Sequence, residues 1–167
     1  MTDREFFRQD ALTLAPALLG KILVRRMPDG SEIRLRITET EAYCGIEDTA
    51  CHAHKGKTAR SEMLWHDGGT IYVYLCYGMH NLMNIVSGRE GDPQAVLIRC
   101  CEGYEGPGKL TKALCIDRSF NGGDILTCDG LYLEDDGVKV NITLDKRVGI
   151  AYADEADREA LWRFKLM

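Results

Sequence analysis

The chain has 167 residues, of which 45% are hydrophobic and 28% charged, and its formal net charge is −5. That length suits one compact domain over residues 1–167, burying roughly 70% of the surface its unfolded chain exposes. No apolar run reaches the ~18–20 residues of a membrane span, and the polar start Met1-Thr2-Asp3-Arg4-Glu5 lacks the apolar core of a signal peptide, so the reading is a cytoplasmic protein with no membrane association.

In chain order, Asp10 is an N-cap for a short helix through Leu19 that Gly20 ends, with Pro16 limiting its interior. Lys21 to Met27 reads as a strand and Pro28-Asp29-Gly30-Ser31 as a hairpin turn. Glu32 to Tyr43 alternates, with Ile33, Leu35 and Ile37 on one face and Arg34, Arg36 and Thr38 on the other. Residues 44–69 show no period, and a loop of that length in a compact domain is often functional. Thr70 to Tyr77 is rich in β-branched and aromatic residues, and His80 to Ser87 returns from a Gly78-Met79 turn as its hairpin partner. Gln94 to Cys101 is a further strand. Gly106-Pro107-Gly108 leads into a short helix from Lys109 to Ile116. Short strands near residues 130–133, 138–142 and 147–150 precede a helical tail, Glu155 to Phe164. The class is α+β, with a curved, mostly antiparallel β-sheet, a protruding hairpin and a few short helices.

The seven cysteines include no C-x-x-C pair, which argues against a zinc ribbon and for reduced, mostly buried thiols. Net negative charge counts against nucleic-acid binding, but the field at the binding face decides, not the total. Lys21, Arg25, Arg26, Arg34 and Arg36 form one basic stretch, and Lys55, Lys57 and Arg60 another. Glu134-Asp135-Asp136 and Asp154-Glu155 lie elsewhere in sequence. A basic face with an acidic back is one arrangement; solvated surface charge is the other.

Three groups of residues carry chemistry. Period two puts Glu39, Glu41 and Tyr43 on one side of their strand, the inward side if the alternation from Ile33 continues. Two inward carboxylates are costly unless paired or working; a strand end twisted into solvent is the alternative. His52 and His54, with Glu41, Glu47 and Asp48, have the donor types of a metal site, although hydrogen-bonding loop histidines are commoner. Tyr72, Tyr74 and Tyr77 lie on one hairpin with Met79 beside its tip. Such rings suit stacking on an extruded base or wedging into a minor groove, and equally suit core packing.

The run LLGKILVRRMPDGSEIRLRITETEAYCGIEDTACHAHKGKTAR, then GGTIYVYLCYGMHNLMNIV, AVLIRC, GPGKLTKALCI and RVGIA, resembles the alkyladenine (3-methyladenine) DNA glycosylase family across about residues 18–152. The resemblance implies a monofunctional glycosylase that excises alkylated, and perhaps deaminated, purines from duplex DNA after base flipping. It implies Glu41 as the general base that activates water, Arg99 beside it, and Val148 as a residue whose backbone carbonyl helps hold the water. Tyr43, His52 and Tyr74 are implied to contact the flipped base, and Asn84 to crowd the amino group of a normal guanine. Tyr77 is implied to fill the gap in the minor groove. Met79 and His80 are implied DNA contacts, and Lys57 and Thr58 join them. No metal, no cofactor and no obligate protein partner are implied.

Two departures from the family pattern stand out. Cys101 runs almost directly into the GPGKL segment without the usual basic insertion. The chain also ends at Met167, soon after the residues that resemble the family's last strand, which predicts an unpaired sheet edge or self-association. Two other readings compete: a DNA-damage binding module without turnover, and a metal-dependent hydrolase using His52, His54 and Glu41.

Overall fold

The computed structural model describes residues 2–167. A short helix, α1 (Arg4–Phe7), not expected from the sequence, precedes α2 (Ala11–Leu18), which Asp10 caps through the Thr13 amide. Strands β1 (Ile22–Arg26) and β2 (Glu32–Tyr43) form the expected hairpin. The segment after β2 is loop with two 3-10 turns, His52–Lys55 and Glu62–Trp65. Strands β3 (Ile71–Cys76), β4 (His80–Ser87) and β5 (Gln94–Cys101) follow close to the expected bounds. A two-residue strand, β6 (Tyr104–Glu105), folds back on β5 before helix α3 (Pro107–Ala113).

The last third departs further from expectation. Strand β7 (Leu131–Glu134) is present, but residues 138–141 are not a ladder strand, and the next strand is β8 (Ile142–Asp145). Residues 147–150 are loop, because Arg147 turns inward to a buried partner. The helical tail stops early: α4 (Glu155–Glu159) gives way to β9 (Arg163–Leu166). Trp162, Phe164 and Leu166 all pack on the main core, a period of two that no helix satisfies. The segment read as a truncated edge therefore pairs on both sides, with β2 and with β8.

All pairings are antiparallel, in the order β3-β4-β5-β2-β1-β7, with β9 taking over from β1 along the second half of β2. One face of this sheet covers the main core, where α1, α2 and α3 contribute Phe7, Leu14, Leu18 and Leu110. The other face is concave and holds a cavity of about 820 Å³. Side chains alternate between the two. Ile71 and Val73 of β3, Met83 and Ile85 of β4, and Val96 and Ile98 of β5 enter the core, whereas Tyr74, Asn84, Ala95 and Leu97 line the cavity.

Strand β2 does not keep its alternation. Ile37 pairs with Cys101, Glu39 with Cys100 and Thr40 with Ile98, so Thr38 is an extra residue on β2 and Arg99 an extra residue on β5. These two adjacent bulges shift the faces. Ile33, Leu35 and Ile37 meet the core, but after the first bulge it is Ala42 that does so, while Thr40 donates its hydroxyl to the Ala15 carbonyl at 2.8 Å. Glu39, Glu41 and Tyr43 are thereby moved to the cavity side, away from the core that uninterrupted alternation from Ile33 predicts.

No helix of the described residues is long and apolar enough to cross a membrane. Leu14 is fully buried against the sheet. Leu14→Ala is expected to cost about 2–5 kcal/mol, read as a lower denaturation midpoint at unchanged slope.

Candidate active site

Glu41 is fully buried behind a wall to which Tyr43, Arg99 and Val148 contribute. The Val148 amide donates to its Oε1 at 2.8 Å, and the Tyr43 hydroxyl donates to its Oε2 at 2.8 Å. Arg99 Nη1 stands 3.7 Å from Oε1, too far for a hydrogen bond. Burial raises the Glu41 carboxyl above its ordinary range, opposed by Arg99, the Val148 amide and the Tyr43 hydroxyl. The contact that Val148 makes with Glu41 here is thus through its N–H.

The aromatic wall comes from β3 and the first 3-10 turn. His52 Nδ1 shares a hydrogen bond of 2.8 Å with the Tyr72 hydroxyl, and its ring meets that of Tyr74 edge-on at 4.5 Å. Desolvation, reinforced by Arg60 and Lys55, lowers the His52 pKa to about 4, so the imidazole is neutral at physiological pH. Arg60 lies over the Tyr74 ring at 5.2 Å. Asn84 is buried and donates its amide to the Tyr72 carbonyl at 3.2 Å, which fixes the side chain at the cavity floor.

The β3–β4 tip projects from the sheet. Tyr77 is 88% exposed and Met79 72% exposed. Tyr77 and Gly78 both have positive φ, 51° and 65°, as a tight hairpin turn demands. Glycine tolerates this freely, but a bulky tyrosine there is strained, and strain of this kind persists where the residue has another use. Gly108 packs so closely on the His80 ring that an added Cβ would meet it at 2.9 Å, which locks the turn end of the hairpin to α3.

Of the residues the sequence singled out, Tyr43, His52, Thr58, Tyr74, Tyr77, His80, Asn84, Arg99 and Val148 line this one cavity. Lys57 is exposed beside Thr58, and Met79 stands at the hairpin tip, both outside the cavity lining. His54 does not join His52 and Glu41: its Nδ1 is bonded to the Ile46 carbonyl at 2.7 Å, and the described residues contain no cluster of metal-ligating side chains.

The first basic stretch does not serve a binding face. Lys21 pairs with Asp135, Arg34 with Glu134, Arg36 with Asp136 and Arg26 with Glu32, while Arg25 is buried over the Phe120 ring. The acidic run following β7 folds directly onto these cations. Lys55, Arg60 and Lys109 instead line the cavity, with Lys57 beside them, and none of the four makes an ion pair among the described residues.

Arg147 and Arg163 carry no functional signal in the sequence, and Asp48 has one only as a candidate metal donor. Asp48 and Arg147 form a fully buried ion pair at 2.6 Å. The Arg147 guanidinium lies between the rings of Tyr43 and Trp162, at 4.9 and 4.8 Å. Glu39 takes Arg99 at 3.0 Å and Arg163 at 3.1 Å. Alternation did place Glu39 beside Glu41, but no local signal ties Asp48 to an arginine 99 residues away.

Comparison with known proteins agrees with this assembly. The family model of methylpurine-DNA glycosylases matches residues 5–106 and 102–167. A Borreliella afzelii protein assigned as a 3-methyladenine DNA glycosylase is 47% identical, over 97% of this chain and 94% of its own length. Proteins of the same assignment from Natranaerobius thermophilus and Methanocella arvoryzae are 41% and 42% identical, over 97% and 96% of this chain and 93% and 90% of theirs. These relatives place the chain among DNA base-removing enzymes. It belongs to the methylpurine-DNA glycosylase family.

Two outcomes follow for the site. Asp48→Ala is expected to cost about 3–5 kcal/mol, because it strands a buried guanidinium, and calorimetry or urea unfolding measures the loss. His52 has a folded pKa near 4 against an ordinary 6.5, so the unfolded chain binds the extra proton between these values. Its contribution is fully present above about pH 6.5 and is lost as pH falls toward about 4. Histidine NMR titration reads the midpoint directly, and His52→Gln is expected to flatten that part of the stability profile.

Proposed function

We propose that this protein is a monofunctional DNA glycosylase that hydrolyses the N-glycosidic bond of 3-methyladenine, 7-methylguanine and hypoxanthine in duplex DNA after flipping the nucleotide. The single observation that carries this reading is a buried carboxylate, Glu41, oriented by two donors directly behind an aromatic cavity. The cavity has room for a purine nucleotide, and its mouth carries unpaired cations that suit phosphates.

Cleavage at C1′ passes through an oxocarbenium-like state, as in sugar hydrolysis. Glu41 stabilises that positive charge and takes the proton of the attacking water, the proton moving to Oε1 or Oε2 as the C1′–O bond forms. The water is admitted where the flipped nucleotide seats against Val148 and Arg99, and the Val148 carbonyl helps hold it. An adenine alkylated at N3 or a guanine alkylated at N7 is cationic, departs as a neutral base, and is attracted to the faces of Tyr43 and Tyr74, whereas uncharged hypoxanthine departs as its anion and takes a proton from solvent. His52, neutral, packs against such a base without repelling it. Asn84, fixed to β3, crowds the exocyclic amino group of ordinary guanine. Tyr77, exposed and preset in its turn, fills the gap left in the stack, with Met79, His80, Lys57 and Thr58 holding the flanking backbone. Seven free thiols with no disulfide suit a reducing, cytoplasmic setting.

The test is single-turnover base release from duplexes carrying one 7-methylguanine or one hypoxanthine, with chelator present. Native protein is expected to release base, and Glu41→Gln to lose about 10²–10⁴-fold in rate while still binding the damaged duplex. Binding without release by the native chain would make it a damage-binding module; loss of release in chelator would make it a metal enzyme. Tyr77→Ala is expected to weaken damaged-duplex binding at least several-fold without changing thermal stability, measured by fluorescence anisotropy at fixed salt.

A further inference from the structure

Glu39 and Arg163 have no part in the chemistry above, yet they surround Arg99. Glu39 is a second, largely buried carboxylate two residues before Glu41, with a side chain 15% exposed. Its Oε2 lies 3.0 Å from Arg99 Nε in an ion pair, and its Oε1 accepts from Arg163 Nη1 at 3.1 Å. The Cys100 thiol adds a 3.6 Å contact to Oε2. Arg163, in β9, uses its whole planar fork: Nη2 donates to Asp145 at 2.7 Å and Nε to the Lys146 carbonyl at 2.7 Å. Lys146 lies two residues before Val148, whose amide holds Glu41. One arginine from the last strand thus braces both Glu39 and the loop that orients Glu41.

The geometry at Arg99 is selective. Its Nε is engaged by Glu39, while Nη1 stops 3.7 Å from Glu41 Oε1. A guanidinium closing that gap would form a charge-assisted hydrogen bond with Glu41 and keep the carboxylate ionised and occupied. Such a carboxylate stabilises a cation but accepts a proton poorly. We infer that Glu39 and Arg163 are positioning residues that hold Arg99 short of a full ion pair with Glu41, leaving Glu41 free to take a proton from water. This inference rests on Glu41 being the base proposed above. The other groups facing Glu41 are Tyr43 on its own strand, Tyr74 from β3, and Arg147, Tyr152 and the Val148 amide from the loop after β8. None of these links Glu41 to Glu39, so Glu39→Gln acts on Glu41 through Arg99, whereas the Arg163 substitutions act both through Arg99 and through the Lys146–Val148 loop.

The two residues make opposite predictions. Removing the charge of Glu39 releases Arg99 toward Glu41. Removing Arg163 leaves Glu39 with one cation, Arg99, which it then holds more firmly, and adds net negative charge beside Glu41. The experiment measures single-turnover release of 3-methyladenine and 7-methylguanine from dimethyl-sulfate-treated duplex DNA across pH, for the native chain, Glu39→Gln, Arg163→Met, Arg163→Lys and Glu41→Gln. Glu39→Gln is expected to move the acid limb of the profile down by on the order of one pH unit, with a plateau loss of about tenfold to a hundredfold. Arg163→Met is expected to move the limb up, and Arg163→Lys to restore most of the shift. In parallel, the ¹³C-carboxyl resonance of Glu41 should titrate lower in Glu39→Gln and higher in Arg163→Met, a readout independent of turnover. Limbs and resonances that stay where they are in the native protein, with only thermal stability lowered, would overturn the inference and leave the pair a structural brace. Glu41→Gln that retains full activity would instead remove the base assignment itself. If Glu39→Gln fails to fold, Arg163→Met and its lysine rescue still decide against a purely structural brace, which predicts no upward limb for lysine to reverse.

Discussion

The buried pair of Asp48 and Arg147 is the constraint on which the rest of the site depends. Two charges removed from water are favourable only if their remaining donors and acceptors are satisfied. Here Asp48 accepts from the Cys44 and Ala50 amides as well as from both terminal nitrogens of Arg147. Arg147 in turn donates to the carbonyls of Ala42 and Asp157, and only its Nε is left without a partner among the described residues. The pair therefore pins the end of β2, the loop that follows it, and the segment between β8 and α4 to one point. Val148 is the next residue along, so its amide is delivered to Glu41. Tyr43, stacked on the same guanidinium, is delivered to the other oxygen.

A curved sheet with one packed face leaves the opposite face free for chemistry, but only if the right side chains turn toward it. The paired bulges at Thr38 and Arg99 do this. Without them, the alternation begun at Ile33 would aim Glu39 and Glu41 into the apolar core, where neither carboxylate has a partner. With them, both acids and Arg99 arrive together on the cavity side at the strand centre, where β5 and β9 clamp β2 from its two edges. Bulges beside active sites commonly re-aim side chains in this way.

Charge is distributed to the same end. The chain is net acidic, yet Glu32, Glu134, Asp135 and Asp136 pair with Lys21 and the cations of β1 and β2. Among the described residues, Lys55, Lys57, Arg60 and Lys109 at or beside the cavity are without an ionic partner. Total charge is therefore a poor guide to the partner, since the field at the mouth is set by which cations remain unpaired.

The sequence by itself determined most of the elements and singled out residues that share one cavity. Asp10 as a cap, the alternation through β2, the aromatic run of β3 and the Gly78 turn are local signals, decided by backbone preferences within a few residues. Tyr43, His52, Tyr74, Asn84, Arg99 and Val148 were named from motifs, and they do meet in one cavity. What only the tertiary structure decided are facts of distance across the chain. The residues at 147–150 favour a strand, but a partner for Arg147 lies 99 positions upstream. The helical residues from Glu155 extend the expected helix to Phe164, because the alternation of Trp162-Arg163-Phe164-Lys165-Leu166 is too short to outweigh them. The cations of β1 and β2 were open to a binding role until the run following β7 folded onto them. A sequence reports what each residue prefers among its neighbours; which carboxylate meets which arginine is settled only when the sheet closes.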